Sequence, residues 1–370
     1  MSLLSGLKVV ELARILAGPW AGQALADLGA EVVKVESPEG DDTRRWGPPW
    51  IERDGDRTAA YFYAANRGKA TATADFRNPY DIARVKAMIA DADVVIENFK
   101  VGGLAKYGLD YASLAAANPR LIYCSITGFG QDGPRAGEAG YDFMIQGLSG
   151  LMSITGEAKG EPTKVGVAVT DVVSGLYAVI GILAAVEARH RTGRGQSVDI
   201  SLLDCATALL ANQAMNYLVS GESPGRLGNA HPNLMPYDTL PVADGHVIVA
   251  VGNDRQFASL CTVLGCAELA DDPRFRTNGD RVSARAELKP LLAEATARWS
   301  RDALLAALAR AVVPAGPINE IADVFADPQV IARGLRIAPE GVPGVRGPWV
   351  FSDADLALDR SAPVLKRDDG

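Results

Sequence analysis

The sequence has little of what builds metal centres, cross-linked scaffolds or basic interfaces. Its 370 residues include only three histidines, His190, His231 and His246, too widely separated for metal-ligand spacing, so no metal site is expected. The four cysteines, Cys124, Cys205, Cys261 and Cys266, form no C-x-x-C pair. They read as reduced, structural thiols of a reducing compartment. Basic charge is in deficit, with 37 Lys and Arg against 45 Asp and Glu and a net charge of -8. That balance speaks against nucleic acid or an anionic membrane as a partner. The N-terminus, MSLLSGLKVVELAR, lacks the basic and long apolar regions of a signal peptide. The longest apolar run, Leu176–Val186, is too short to cross a bilayer. A cytoplasmic protein is therefore expected, or, in a eukaryote, one delivered to an organelle after losing a leading segment. Internal repeats, low-complexity segments and the G-x-S-x-G elbow of a serine hydrolase are absent too.

What is present is a regular alternation. Leu7–Leu12 reads as a strand, Trp20–Leu28 as a helix stopped at Gly29, and Glu31–Val35 as a second strand. Asp81–Ala92 carries a helical period and leads into the apolar run Val94–Ile96; Tyr111–Ala117 is a short helix before the buried strand Leu121–Thr127. Strand and helix in turn predict a parallel α/β sheet with helices on both faces. Asp171–His190 is a helix apolar on nearly every side, which implies deep burial, and Ser201–Leu218 reads as another. The Gly- and Pro-rich stretch Gly221–Pro236 marks a boundary. Beyond it, a strand at Val247–Val251 and helices at Arg255–Leu264, Val282–Trp299 and Ala303–Val312 make a smaller α/β unit. The expected organisation is a large domain over 1–220, a small domain over 221–330, and a return to the large domain over 331–370.

Two motifs compete for a functional reading. Gly128-Phe-Gly-Gln-Asp-Gly133 fits G-x-G-x-x-G after a strand, but Pro134 and the polar RAGEAG follow where a dinucleotide fold needs an apolar helix. It reads instead as a tight turn with close backbone approach. Asp171 opens the long apolar helix. Such an Asp is first of all an N-cap. The same place also suits an ionised, partly desolvated carboxylate acting as a covalent nucleophile, with the helix dipole favouring its charge. His190 at the far end suits the dipole as a C-terminal cation.

Several segments together carry a resemblance. They are Glu11–Glu36 (ELARILAGPWAGQALADLGAEVVKVE), Gly40–Pro49 (GDDTRRWGPP), Asp91–Phe99 (DADVVIENF), Ser125–Pro134 (SITGFGQDGP), Ala139–Asp142 (AGYD), Thr170-Asp171, Thr192–Gln196 (TGRGQ) and Gly316–Asn319 (GPIN). In this order, over nearly the whole chain, they resemble the class III CoA-transferases, the formyl-CoA and carnitine CoA-transferase family that includes the α-methylacyl-CoA racemases. The resemblance is greatest to the branch that moves CoA from succinyl-CoA to dicarboxylates. It implies a Rossmann-like large domain built from both chain ends, a smaller domain, and an interlocked homodimer. It also implies acyl-CoA and carboxylic acids as substrates with no tightly bound cofactor.

The family's nucleophile falls on Asp171. The matching CoA contacts are Ile15, Leu16 and Ala17 at the thioester end, Ala74 and Arg77 on the adenine side, Asn98, Phe99 and Lys106 after the ENF strand, and Tyr141 and Asp142. Arg14, Arg45 and His231 are candidates for a dicarboxylate's distal group. There are departures. Ser37 stands where formyl-CoA transferase has an arginine, Leu16 replaces a glutamine that assists oxalate, and SAPVLKRDDG replaces the family's usual C-terminal motif. The racemase branch carries a histidine directly before the Asp of the AG-[HY]-D motif, where this chain has Tyr141. A phenol, with an ordinary pKa near ~10, is a poor base at neutral pH, so transfer is favoured over racemisation. Binding of acyl-CoA without turnover is the third reading.

Overall fold

The computed structural model describes residues 2–365. The chain divides into two compact units. One runs to Met152, takes up Lys164–Glu222 and resumes at Pro328; the other joins Ser153–Thr163 to Ser223–Asp327. The segment 153–163, expected in the large domain, thus belongs to the second unit. There Gly228 N–H bonds Gly156 O at 3.0 Å, and the Arg226 guanidinium donates to the carbonyls of Glu157 and Gly160.

The first unit is organised by six parallel strands: β1 (Lys8–Glu11), β2 (Glu31–Glu36), β3 (Ala70–Thr73), β4 (Val94–Glu97), β5 (Ile122–Thr127) and β6 (Ser197–Ser201). Their spatial order is β3-β2-β1-β4-β5-β6. The central strands are β-branched runs, VV in β1, VV in β2 and VVI in β4, set side by side as Val9↔Val32 and Val9↔Val94. Being apolar on both faces, they suit a sheet covered on both sides. The order reverses between β1 and β4, and such a switch point opens a crevice at the carboxyl ends of the strands.

The longer helices are α1 (Ala17–Asp27), α2 (Pro79–Ala90), α3 (Tyr111–Ala117), α4 (Asp142–Leu148), α5 (Val169–Thr192), α6 (Leu202–Leu209) and α7 (Ala211–Ser220). The Ala-rich α1 is buried at almost every position and packs against α5. It begins before Trp20 because Pro19 suits the first turn of a helix. The long α5 ends at Gly193, which takes φ 72° and donates its N–H to Arg189 O. Among the described residues α5 is the one helix long and apolar enough to cross a membrane by length and composition, contrary to the reading of its apolar run alone. Here it packs against α1, α6, β5 and β6. His190 near its end is exposed, 3.6 Å from Glu187. The single helix expected over Ser201–Leu218 is broken at Leu210, where Ala211 takes φ 45°.

The last described residues return to the first unit. Ala357 N–H bonds Asp27 O at 2.8 Å, Gly68 N–H reaches Arg360 O, and the Arg44 guanidinium donates to Pro363 O at 3.1 Å. The second unit holds a three-stranded antiparallel sheet of β7 (Tyr237–Val242), β8 (Gly245–Ala250) and β9 (Ala315–Pro317). Helices α8 (Asp254–Leu264), α9 (Arg285–Thr296) and α10 (Arg301–Arg310) contribute to its own core, which includes Leu240, Val247, Phe257, Leu288 and Leu304. The helix expected from Val282 to Trp299 is interrupted, with Asn278–Ser283 ending before α9 starts.

Candidate active site

The crevice predicted by the strand order is a cavity of about 880 Å³ in the first unit. Its walls are the segments that leave the carboxyl ends of five strands: Arg14–Ala17 after β1, Ser37–Glu39 after β2, Ala74–Arg77 after β3, Asn98–Lys100 after β4 and Ile126–Gly128 at the end of β5. Asp171 and the Ala139–Tyr141 segment complete it. Of the residues singled out from sequence, Arg14, Ile15, Leu16, Ala17, Ala74, Arg77, Asn98, Phe99, Lys106, Tyr141 and Asp171 all line this one space.

Asp171 is not an N-cap. It is the third residue of α5, whose N-cap is Ala168 and carries no side-chain cap bond. The capping role passes to Asp142, 28 residues before Thr170. Its Oδ1 accepts the Thr170 N–H at 2.9 Å and the Thr170 hydroxyl at 2.6 Å, while Oδ2 accepts from the Gln146 amide at 2.8 Å. Gln146, fully buried, accepts the Val165 N–H through its Oε1. Asp142 is therefore a positioning residue at the helix start, not part of the cavity wall. Asp171 is left free. Among the described residues its carboxylate has no hydrogen-bond or ion-pair partner, so the expected support from the backbone is not there. Burial raises its pKa, and the neighbouring Asp142 charge adds to this, taking it to about 7.

Gly175, one turn along α5, explains how α1 comes so close. A Cβ there would meet Ala17 O at 2.7 Å and the Trp20 side chain at 3.1 Å. The wall segment Arg14–Ala17 thus abuts the helix that carries Asp171. A second backbone crossing forms the opposite side, where a Cβ on Gly140 would lie 2.4 Å from the Gly128 Cα.

The cavity's charges separate into committed and free. Arg77 is exposed and bound bidentately by Asp75, and Glu36 is taken by Arg44 at 2.7 Å. Among the described residues Lys106 has no carboxylate partner; it rests 4.7 Å from the Tyr107 ring centre, which leaves its ammonium for an anion. Arg14 holds one oxygen of Asp42 only at 3.5 Å, while Arg45 takes the other at 2.8 Å. Arg45 is thus a surface ion pair outside the cavity lining. His231 lies in the second unit, where its Nδ1 accepts the Asn233 N–H and its ring packs on Tyr237. Sequence reasoning named Phe99 and Tyr141 but not the other aromatic residues of the lining. Phe76 stacks on Phe99 at 6.1 Å and tilts against Tyr107 at 5.4 Å, and Trp46 meets Tyr61 edge-on. Trp46 lay within the GDDTRRWGPP segment and Phe76 within the adenine-side segment Ala74–Arg77, so both could have been named.

The sequence matches the family described as CoA-transferase family III over residues 4–369. The chain belongs to CoA-transferase family III. It is 56% identical to a succinate–glutarate CoA-transferase of Agrobacterium fabrum, over 98% of this chain and 92% of that protein. It is 40% identical to the human succinyl-CoA:glutarate CoA-transferase, over 98% of this chain and 83% of that one. A solved CAIB/BAIF family protein from Brucella suis superposes with a TM-score of 0.89 at 63% identity, covering 98% and 96% of the two chains.

Proposed function

We propose that this family III CoA-transferase moves CoA from succinyl-CoA to a dicarboxylic acid of the glutarate type, with Asp171 as covalent nucleophile. The observation that carries this reading is the unpartnered Asp171 carboxylate, poised near neutral pH in a cavity large enough for an extended acyl-CoA. The names of the relatives supply the acids. A carboxylate without hydrogen-bond donors keeps its lone pairs available, and around pH 7 a large fraction is ionised.

The chemistry needs no other group. An Asp171 oxygen attacks the thioester carbonyl, the C–S bond breaks, and CoA thiolate leaves a mixed anhydride. The thiolate then attacks the aspartyl carbonyl, releasing succinate and leaving an aspartyl-CoA thioester. The acceptor carboxylate attacks that thioester to form a second anhydride and free the thiolate. Thiolate attack on the acceptor carbonyl gives the new acyl-CoA and restores Asp171. Water must be kept out while either acyl intermediate exists, and the apolar walls of Ile15, Leu16, Phe99 and Trp46 serve that end. On this reading Lys106 meets a CoA phosphate and Arg14 the distal carboxylate of the diacid. Tyr141 lines the cavity where a racemase of this family carries histidine, which favours transfer.

A homodimer completes the reading. Leu176, Tyr177 and Ile180 are exposed on one face of α5, and Phe143, Met144 and Leu148 on α4. Apolar surface of this kind on a core helix suits a second copy of the chain. Light scattering showing an active monomer at micromolar concentration contradicts the dimer.

The deciding experiment is Asp171→Asn. It should still bind CoA, while turnover falls at least ~10³-fold, because losing the nucleophile removes the covalent pathway. Hydroxylamine added during turnover should inactivate the unaltered protein and leave its adduct on the peptide that contains Asp171. An active Asn variant, or an adduct mapped elsewhere, ends this assignment.

A further inference from the structure

Beneath the cavity lies a cluster of ionised side chains that the transfer chemistry does not use. Lys34 is fully buried and donates to Glu11 at 3.1 Å, Asp41 at 3.0 Å and the Ala13 carbonyl at 2.8 Å. Lys69, equally buried, reaches the other Glu11 oxygen at 2.8 Å, the Pro19 carbonyl at 2.8 Å and Asn66. Two ammonium and two carboxylate groups balance in charge. Burying them is costly, and a packed apolar cluster often stabilises a fold as well or better. Stability alone therefore does not explain them. Lys34, Lys69 and Asp41 each also bond a backbone group at or beside one segment, the wall between β1 and α1.

Most of the polar backbone groups they touch belong to that wall or its ends; the exception is the Thr43 N–H, which Asp41 accepts at 3.0 Å as it caps the short helix Asp42–Arg45. Asp41 accepts the Ile15 N–H, at 3.2 Å to its nearer oxygen. Asn98 closes the other side, accepting the Arg14 N–H at 2.9 Å and donating to the Arg14 carbonyl at 2.7 Å. The residue so held is the strained one. Ile15 takes φ 71°, a left-handed conformation that β-branched side chains strongly disfavour and that persists only where its surroundings enforce it. Ile15, Leu16 and Ala17 form the cavity wall that abuts the Asp171 helix.

We propose that Asp41 is a positioning residue for the transfer reaction: charge-fixed by Lys34 and bonded to the Ile15 N–H, it holds the left-handed turn that sets the Ile15–Ala17 wall against Asp171. This rests on the assignment of the Asp171 cavity as the CoA-transfer site. Asn98 acts in the same clamp, so its part is to shape the wall. Without the clamp, Ile15 relaxes to a right-handed or extended conformation and the wall shifts relative to the nucleophile, a displacement to which catalysis is sensitive.

A double-mutant cycle tests this, because glycine adopts φ near 70° without strain. In the full-length protein, Asp41→Asn should lower kcat at least about tenfold while the KM for acyl-CoA moves by less than about twofold. Hydrogen exchange at the amides of residues 13–17 should become faster. In an Ile15→Gly background the same Asp41→Asn change should cost less than about threefold in kcat, since the turn no longer needs enforcing. A merely structural role lowers the melting temperature but gives no such rescue. Should Asp41→Asn not fold, Asn98→Asp replaces it. That change keeps the acceptor for Arg14 N–H, loses the donor to Arg14 O, and should show the same loss and the same rescue. A folded variant with unaltered kcat, or an equal loss in both backgrounds, overturns the proposal. If the unaltered protein transfers no CoA, the reading of the cavity fails first. The exchange rates at residues 13–17 then decide the positioning role by themselves, and unchanged rates refute it.

Discussion

Asp171→Asn should make the protein more stable as it makes it inactive, and the gain should depend on pH. In the folded chain the Asp171 carboxyl has a pKa of about 7, raised by burial and by Asp142. In the unfolded chain it returns to about 3.9. Between those values the folded state holds a proton that the unfolded state has lost, so its contribution to stability falls as pH rises through this window and is fully unfavourable above about 7. At about 1.4 kcal/mol per pH unit the upper limit is roughly 4 kcal/mol, and because Asp171 is only partly buried and lines the cavity, screening reduces it to about 2 kcal/mol. Asparagine has the same shape, sits at the third position of a helix without difficulty, and carries no charge to desolvate. Thermal melts of both proteins should therefore differ by a few degrees at pH 8, with Asp171→Asn the more stable, and converge toward pH 4.5. Equal melting temperatures at pH 8, or a difference that does not change with pH, refute a desolvated, unpartnered carboxylate. An N-cap role predicts something else, near-neutrality for Asn and about 1 kcal/mol lost for Ala at every pH.

Asp142→Asn should move the acid limb of the kcat/KM profile from near pH 7 to lower pH, by up to about one unit, because a like charge beside the nucleophile is removed. The variant should also melt earlier, since its amide then faces the Gln146 amide as donor to donor; an unmoved limb counts against coupling between the two carboxylates. Gly140→Ala should abolish accumulation of folded protein or its activity, because the new methyl group meets the Gly128 backbone at 2.4 Å, whereas Gly137→Ala, with nothing within 4 Å, should be silent in the same activity and melting assays. A 2-methylacyl-CoA incubated in deuterated water should keep its α-hydrogen, and exchange at a rate matching turnover contradicts the transferase reading.

The parallel sheet was legible because its strands are written in valine and isoleucine, and side-chain chemistry there coincides with burial. The cavity was legible for a different reason: its residues fall just after those strands, so finding the strands nearly finds the walls. What stayed hidden depends on contacts distant in the chain. Asp171 carried every sign of an N-cap, and only the approach of Asp142 shows that the helix start is capped from elsewhere. The break at Leu210 has no glycine or proline to announce it. Arg45 and Arg77 looked available until their partners, Asp42 and Asp75, were seen. Segment 153–163 joins the second unit through bonds to residues about seventy positions later, which no local pattern encodes.

The return of the final residues to the first unit bears on how the molecule is made. During synthesis the sheet strands β1 to β6 leave the ribosome well before residues 357–363, whose contacts reach Asp27, Arg44 and Gly68. All of residues 223–327 emerge in between, and they can collapse on their own core while the earlier strands still wait for their last partners. For that interval Arg44, which also holds Glu36 at the cavity edge, lacks its Pro363 carbonyl. Apolar surface in the unfinished unit is then open to mispairing or to a chaperone. A nascent chain arrested before residue 357 should accordingly be more sensitive to protease in its first two hundred residues than in 223–327, so that the part of the protein made first is the part finished last.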